Sequence, residues 1–384
     1  MDDFKVVNDC YGHDYGDGIL KSFAAFLNTM FSEPNKVFRF GGDEFVILIN
    51  HENIGNVADY LRILLERSGT PWQALDKQFY CTLSIGVVEF SGKDEEWKTI
   101  IKHADIAMYE AKRRGKNNYE YYQSRYNDKA VQRSRMESLL RKAMNNNFEG
   151  FEVHYQPIVS AESGNITGME ALLRMYDYDN IILPNEFIPL AEYLGFMIPI
   201  GEYVLRSAAR ECMKINQTGQ KDFSVTINLS AKQFNQKEIV NRIENILDDT
   251  GVDYRNIIIS ISESIAVGDS ERMFMVCKQL RSRGIQIALD NFGGGNSSFL
   301  HLRDLPIDII KISSVFVQTI NEEYSREFIE IIIKLSRSMH KKICINGIET
   351  EFQYEQCKTF GAVDLQGFYL YRPAKQSELK MENL

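Results

Sequence analysis

The sequence predicts an α/β chain in two parts, an α+β domain followed by a (β/α)8 barrel, and three observations predict it. The 384 residues exceed one ordinary domain. The first part, about 120 residues at the usual domain scale, mixes short strand-like runs with helical patterns around a Gly-Gly centre. From residue 150 onward the rhythm changes to eight β-rich apolar runs, most pairs separated by a stretch long enough for a helix.

The elements follow in order. "VFRFGGDEFVILI" (37–49) carries apolar runs on both sides of two glycines and reads as a β-hairpin. "FYCTLSIGVVEF" (79–90) reads as a second strand pair or one bent strand. Residues 100–117 have apolar side chains at helical spacing, with a stop at Gly115 after a basic turn. The polar, heptad-like stretch that follows predicts a helical connector over 123–145, between domains at 1–122 and 146–384. The barrel strands are "FEVHYQPIV", "GMEALLRM", "FSVTINLS", "NIIISISES", "GIQIALDNF", "IDIIKISSVF", "KICINGIET" and "VDLQGFYLY", with helices expected at 199–216, 236–249, 270–284 and 324–340. In such a barrel the chemistry sits at the C-terminal strand ends, where Glu170, Asn228, Glu263, Asp290, Asn291, Lys311, Glu349 and Gln366 crowd. A doubly wound sheet fits less well, because its ligand site draws on fewer strands.

Composition narrows the function. With 44% hydrophobic and 25% charged residues and 8 prolines, the chain is globular. No run approaches the ~18–20 apolar residues of a membrane span, and the N-terminus carries no signal peptide. A net charge of −9 argues against a nucleic-acid polymer as partner but leaves room for a small anion held by a few local cations. The six cysteines (Cys10, Cys81, Cys212, Cys277, Cys344, Cys357) show no C-x-x-C spacing. The expectation is a cytoplasmic protein without a membrane segment.

"RFGGDEF" (39–45), "FKVVNDCYGHDYGDGIL" (4–20) and "ADIAMYEAKRRGKN" (104–117) together resemble the GGDEF family of diguanylate cyclases, with a nucleotidyl-cyclase-like fold. The resemblance implies a nucleotide remnant. Gly41 and Gly42 would bring backbone to the phosphates, with Asp43 as metal ligand beside Glu44. Asn8 and Asp17 would recognise guanine, and Lys112 and Lys116 would meet phosphates. GTP is the ligand such a remnant would take. The family's first helix and strand, with a metal-binding Asp before "DDFK", have no counterpart, and "NKVF" (35–38) replaces the R-x-x-D element. The domain is therefore incomplete and no cyclase activity is expected. Whether a segment lies upstream stays open.

Residues 135–380 resemble the EAL family of cyclic di-GMP phosphodiesterases, a TIM-like barrel, through "YQPIV", "MEALLRM", "INLSAKQF", "ISES", "ALDNFGGGNSSFLHLRDLPIDIIKIS", "NGIET" and "DLQGFYLYRP" in order. The family uses two Mg2+ or Mn2+ ions. By resemblance, Glu170, Asn228 and Asp290 are metal-ligand positions and Lys311 lies near the attacking water. Gln156, Leu172 and Gln366 line the pocket, Arg174 meets phosphate, and Glu263 steadies the loop after the fifth strand. Four positions where the family has carboxylates are neutral here: Ser260, Asn291, Ser313 and Asn346. Glu170 and Asp290 alone face the charge of two divalent ions, and Lys311 adds another positive charge. Loss of even a supporting contact costs roughly 10–100-fold in metal affinity or activity.

Taken singly, these residues have plainer readings. Asn291 and the glycines after it can be a strand-to-helix turn. Arg174 and Lys311 can be surface charges, and His154 a strand residue with a satisfied hydrogen bond. Met169, Met175 and the aromatics of "GFYLYRP" read as barrel core. The ordered motifs favour a degenerate receptor or regulatory scaffold that binds cyclic di-GMP without a required metal. A partner protein or a homodimer could form through the barrel. The alternative is a weak Mg2+- or Mn2+-dependent phosphodiesterase producing pGpG.

Overall fold

The computed structural model describes residues 1–379 except 32, 51–56, 92–95, 179, 221, 264–269, 295–304 and 362–363. They form two compact units, 1–134 and 135–384.

The first unit runs α1 (Phe4–Tyr11), α2 (His13–Met30), β1 (Lys36–Gly41), β2 (Glu44–Leu48), α3 (Val57–Ser68), β3 (Trp72–Ala74), β4 (Lys77–Phe79), β5 (Ser84–Val87), α4 (Trp97–Arg113) and β6 (Asn118–Tyr121). The Gly-Gly hairpin forms as expected: β1 and β2 pair antiparallel, with Phe38 opposite Val46. Gly42 takes φ +51°, a left-handed turn position that favours glycine. The Arg39 guanidinium donates to the Gly42 carbonyl at 3.0 and 2.8 Å. "FYCTLSIGVVEF" is neither a strand pair nor one bent strand. Its two ends belong to different sheets, β4 with β3 antiparallel and β5 with β6 parallel. The reason is burial: Cys81 and Leu83 turn into the core while Tyr80 between strand ends is 76% exposed. That core is built on Phe4, Ile19, Phe23, Leu27 and Trp72, and the Trp72 indole donates to the Cys81 carbonyl at 3.0 Å.

A long helix, α5 (Arg125–Asn145), contains the division between the units. The second unit continues with β7 (Phe151–Ser160), β8 (Ile166–Asp177), β9 (Asn180–Ile182), α6 (Pro184–Leu194), α7 (Met197–Gln217), β10 (Ser224–Asn228), α8 (Ala231–Phe234) and α9 (Ile239–Thr250). Then come β11 (Ile257–Ser262), α10 (Ser270–Ser282), β12 (Gln286–Phe292), β13 (Ile309–Ile312), α11 (Ser314–Gln318), α12 (Glu323–Ser338), β14 (Lys342–Asn346), α13 (Glu351–Thr359) and β15 (Asp364–Gln366). The sheet order β10-β11-β12-β13-β14-β15-β7-β8 closes through β8–β10, and β9 extends β8 as a hairpin. One feature departs from an all-parallel (β/α)8 barrel: β7 is antiparallel to both β8 and β15. Only residues 161–165 join β7 to β8, and a parallel crossover needs about a dozen or more.

The helices cover the outer strand faces. On α7, Ile200, Val204, Ala208 and Cys212 recur every four residues and are buried. They pack in one cluster with outward strand residues such as Val225, Ile227, Ile257 and Ile259. A separate cluster of Ile158, Ile258, Ala288, Ile309 and Cys344 plugs the barrel interior. Among the described residues, no helix is long and apolar enough to cross a membrane.

Candidate functional site

Strand side chains alternate faces with period two. Two residues beyond the interior plug, towards one end of the barrel, the same face therefore carries Gln156, Ser260, Asp290, Lys311 and Asn346. Glu170, Asn228 and Gln366 complete a polar layer with one residue from each of the eight strands. Hydrogen bonds tie the layer together. Glu170 accepts from the Asn228 amide at 2.7 Å on Oε1, and from Lys311 Nζ at 2.6 Å and Gln366 Nε2 at 3.0 Å on Oε2. Gln366 Nε2 also lies 3.2 Å from Gln156 Oε1, and Gln156 donates to the Tyr371 carbonyl at 3.0 Å. Asp290 lies 3.9 Å from Lys311 Nζ and accepts from Asn346 at 3.4 Å.

Electrostatics separate the two acids. Burial would raise the Glu170 carboxyl, but the Lys311 charge and the hydrogen bonds from Lys311, Asn228 and Gln366 outweigh it and hold the group below its usual range. Asp290 is pushed up, first by burial and then by the Glu170 charge, against the opposing pull of Lys311. Lys311 is 2% exposed and stays charged: burial acts against the ammonium, but the Glu170 and Asp290 carboxylates raise it above its ordinary value. Lys311 is thus no surface charge. It is the resident cation of the site.

Ser260 and Ser313 are each 1% exposed, and their hydroxyls have no hydrogen-bond partner among the described residues. Asn291 has φ +58°, at the irregularity where β12 loses register with β13. An asparagine tolerates that left-handed backbone, so part of the reason for an amide there is conformational. The third glycine and the serines of "ALDNFGGGNSS" lie outside the described residues. A pair of divalent ions needs several carboxylate oxygens. Here Glu170 has both oxygens engaged, the neighbouring positions offer neutral hydroxyls and amides, and a lysine ammonium stands between the acids. Among the described residues, no group of three or more His, Cys, Asp or Glu could hold a metal. The residues present do not fit a two-ion centre.

Replacing Ser260 by alanine removes a buried group that makes no bond among the described residues, so thermal unfolding is expected to show an unchanged midpoint or one raised by about 2–4 °C. A drop of that size would show that the hydroxyl has a partner after all.

A cavity of about 160 Å³ opens over the layer, lined by Gln156, Glu170, Leu172, Asn346, Gln366 and Phe368 among others. A larger one of about 370 Å³ lies at the opposite end, by Arg281, Gln286 and Asp308. Its carboxylate is already satisfied by Arg281 at 2.8 Å and the Ile287 amide at 2.9 Å, so chemistry belongs to the smaller one.

Other expected residues are placed as follows. Arg174 is half-buried on the face of β8 shared with Glu170 and Leu172; it donates to the Leu173 carbonyl at 2.8 Å and has no carboxylate partner among the described residues. Burial lowers its pKa. His154 bonds the Tyr176 hydroxyl at 3.0 Å. Glu263 is half-buried, and the loop it would steady lies outside the described residues. In the first unit Asp17, Gly41, Gly42 and Glu44 are exposed, and Lys112 is partly buried on α4. Asp43 approaches the Met1 nitrogen at 3.1 Å, and the buried Asn8 side-chain oxygen has no hydrogen-bond partner among the described residues. Lys116 pairs with Asp3 at 2.8 Å rather than standing free. The aromatics of "GFYLYRP" are not all core: Met169 and Met175 are buried, but Phe368 is 48% and Tyr369 42% exposed. Residue pattern gave no sign of this, because a strand end and a turn carry the same apolar letters.

The sequence profile described as "EAL domain" matches residues 137–373, and that described as "Diguanylate cyclase, GGDEF domain" matches 1–118. The bifunctional diguanylate cyclase/cyclic di-GMP phosphodiesterase MucR of Pseudomonas aeruginosa is 34% identical over 99% of this chain and 55% of its own length. The signaling protein YkoW of Bacillus subtilis is 32% identical over 96% of this chain and 46% of its own length. The chain thus spans about half the length of these curated relatives. A solved structure of the PaMucR phosphodiesterase in complex with c-di-GMP aligns with TM-score 0.61 and 34% identity, covering 64% of this chain and 99% of that one. Closed barrel, polar layer and both profiles agree: the chain belongs to the GGDEF–EAL proteins, with a GGDEF domain followed by an EAL domain.

Proposed function

We propose that the EAL barrel binds cyclic di-GMP at its polar layer without hydrolysing it efficiently, and works as a receptor or regulatory scaffold. The observation that carries this reading is the replacement of ligand carboxylates by buried neutral groups, Ser260 and Ser313, around a Glu170 already neutralised by Lys311. The ligand's phosphates are anionic, and Arg174 is a half-buried cation without an acid partner among the described residues. Fewer carboxylates also repel such a ligand less when no metal is present. The MucR structure with c-di-GMP supports the choice of ligand.

Retention of Glu170 and Asp290 as carboxylates motivates the second reading, a slow Mn2+- or Mg2+-dependent conversion to pGpG. The first reading is tested by calorimetry in EDTA. Cyclic di-GMP is expected to bind the parent, and Arg174→Ala to bind about 10–100-fold more weakly, the scale of a charge-assisted contact of about 1.5–3 kcal/mol. Equal affinities would remove Arg174 from the site. Absence of binding tighter than about 100 μM, some 5.5 kcal/mol, would leave only the scaffold.

A further inference from the structure

The cavity above the polar layer has an aromatic rim that the catalytic reading does not use. Phe368 lines it and is 48% exposed, a large apolar area to leave in water beside a polar pocket. Its position is fixed by backbone. Gly367 lies so close to the β14–α13 connection that a Cβ there would fall 2.0 Å from the Ile348 carbonyl oxygen. The Ile348 amide donates to the Gln366 carbonyl at 3.2 Å and the Tyr369 amide to the Ile348 carbonyl at 3.0 Å, so bonds on both sides of Phe368 pin the turn. Arg372 holds its guanidinium 5.0 Å from the ring centroid and has no carboxylate partner among the described residues. A rigid, half-exposed ring next to an unneutralised guanidinium offers a flat face and a positive charge together. A purine linked to a phosphate needs both: stacking for the base, and charge for the anion.

We propose that Phe368, with Arg372 beside it, is a stacking platform for one purine of the dinucleotide, two residues along the chain from Gln366 and its bond to Glu170. The inference rests on the cyclic di-GMP reading of the site and names how one base is held. Phe368 is a binding residue rather than a catalytic one.

The test uses the full chain and cyclic di-GMP in EDTA, with affinity and thermal midpoint measured for Phe368→Leu, Phe368→Tyr and Arg372→Gln. Phe368→Leu keeps apolar bulk but loses the aromatic face, and is expected to weaken binding roughly ten- to hundredfold, the measured scale of one base on an aromatic ring. Phe368→Tyr is expected to bind within about threefold of the parent, since it keeps the ring. Arg372→Gln is expected to weaken binding with a reduced dependence on salt. Midpoints without ligand should match for the parent and all three variants. A parent that binds and a Phe368→Leu variant that binds equally well overturn the platform alone. A parent that does not bind overturns the platform together with the reading of the site.

Discussion

Replacing Lys311 by methionine is expected to destabilise the barrel by about 3–5 kcal/mol, the cost of stranding a buried charge by removing its partner. The ammonium lies 2.6 Å from Glu170 Oε2 and 3.9 Å from Asp290, and its side chain is 2% exposed. Without it, the amides of Asn228 and Gln366 remain as Glu170's donors. The effect has a pH signature. In the parent, burial raises the folded-state pKa of Glu170, but the Lys311 charge and the hydrogen bonds from Lys311, Asn228 and Gln366 overcome it and lower the group. That group contributes stability above the unfolded carboxylate range, and the contribution is lost as pH falls through the folded value. Lys311 has a raised pKa, so its contribution is complete below the ordinary lysine range and is lost only as pH rises through the folded value. In Lys311→Met the Lys311 charge and bond are gone, only the Asn228 and Gln366 hydrogen bonds oppose burial, and Glu170 shifts upward, so protonation relieves the stranded charge. Denaturant unfolding should therefore show a large deficit at about pH 7 that shrinks towards about pH 4, the range of unperturbed carboxylates. The double variant Glu170→Gln/Lys311→Met should recover much of the loss at neutral pH. A deficit independent of pH, or a double variant worse than the sum of its parts, would contradict this account of the pair.

The second large effect comes from restoring acids. The variant Ser260→Glu/Asn291→Asp/Ser313→Asp/Asn346→Glu would place four carboxylates around Glu170 and Asp290. Without metal, like charges in a partly buried ring repel, and the unfolding midpoint is expected to fall below the parent's. With Mn2+ the same charges become ligands. Metal affinity should rise by more than roughly 10–100-fold, and saturation at about 100 times Kd should return about 2.7 kcal/mol. The parent should show neither the fall nor the rescue. Chelator and metal-ion thermal scans of both proteins read this directly. A fourfold variant that gains no Mn2+-dependent stability would mean that the backbone, not the side chains, keeps metal from this site.

Much of the barrel was legible because its strands carry apolar runs of the right length and its helices repeat every third or fourth residue. The antiparallel β7 was not, although the short turn at 161–165 carries the signal: it cannot hold a crossover. Residues 79–90 misled because a stretch of apolar letters does not say which partner each half will find. At the site, Glu170, Asn228, Asp290, Lys311, Gln156 and Gln366 do converge. Three features were beyond the letters. Lys311 looked like a possible surface charge until its burial and its bond to Glu170 were seen. Asn291 reads as a lost acid in sequence, yet its φ of +58° gives it a backbone duty as well. Phe368 read as core because exposure of an aromatic depends on how tightly Gly367 turns the chain, and no local pattern encodes that.

A cyclic di-GMP site that binds without efficient chemistry has one direct test. Incubating the chain with cyclic di-GMP and excess Mn2+, with parallel binding in EDTA and a Glu170→Ala control, tests it by chromatography of the products. The expected result is metal-independent binding by the parent, and linear pGpG no faster than in the control. Glu170-dependent turnover that rises with Mn2+ would contradict it and establish the chain as a working phosphodiesterase.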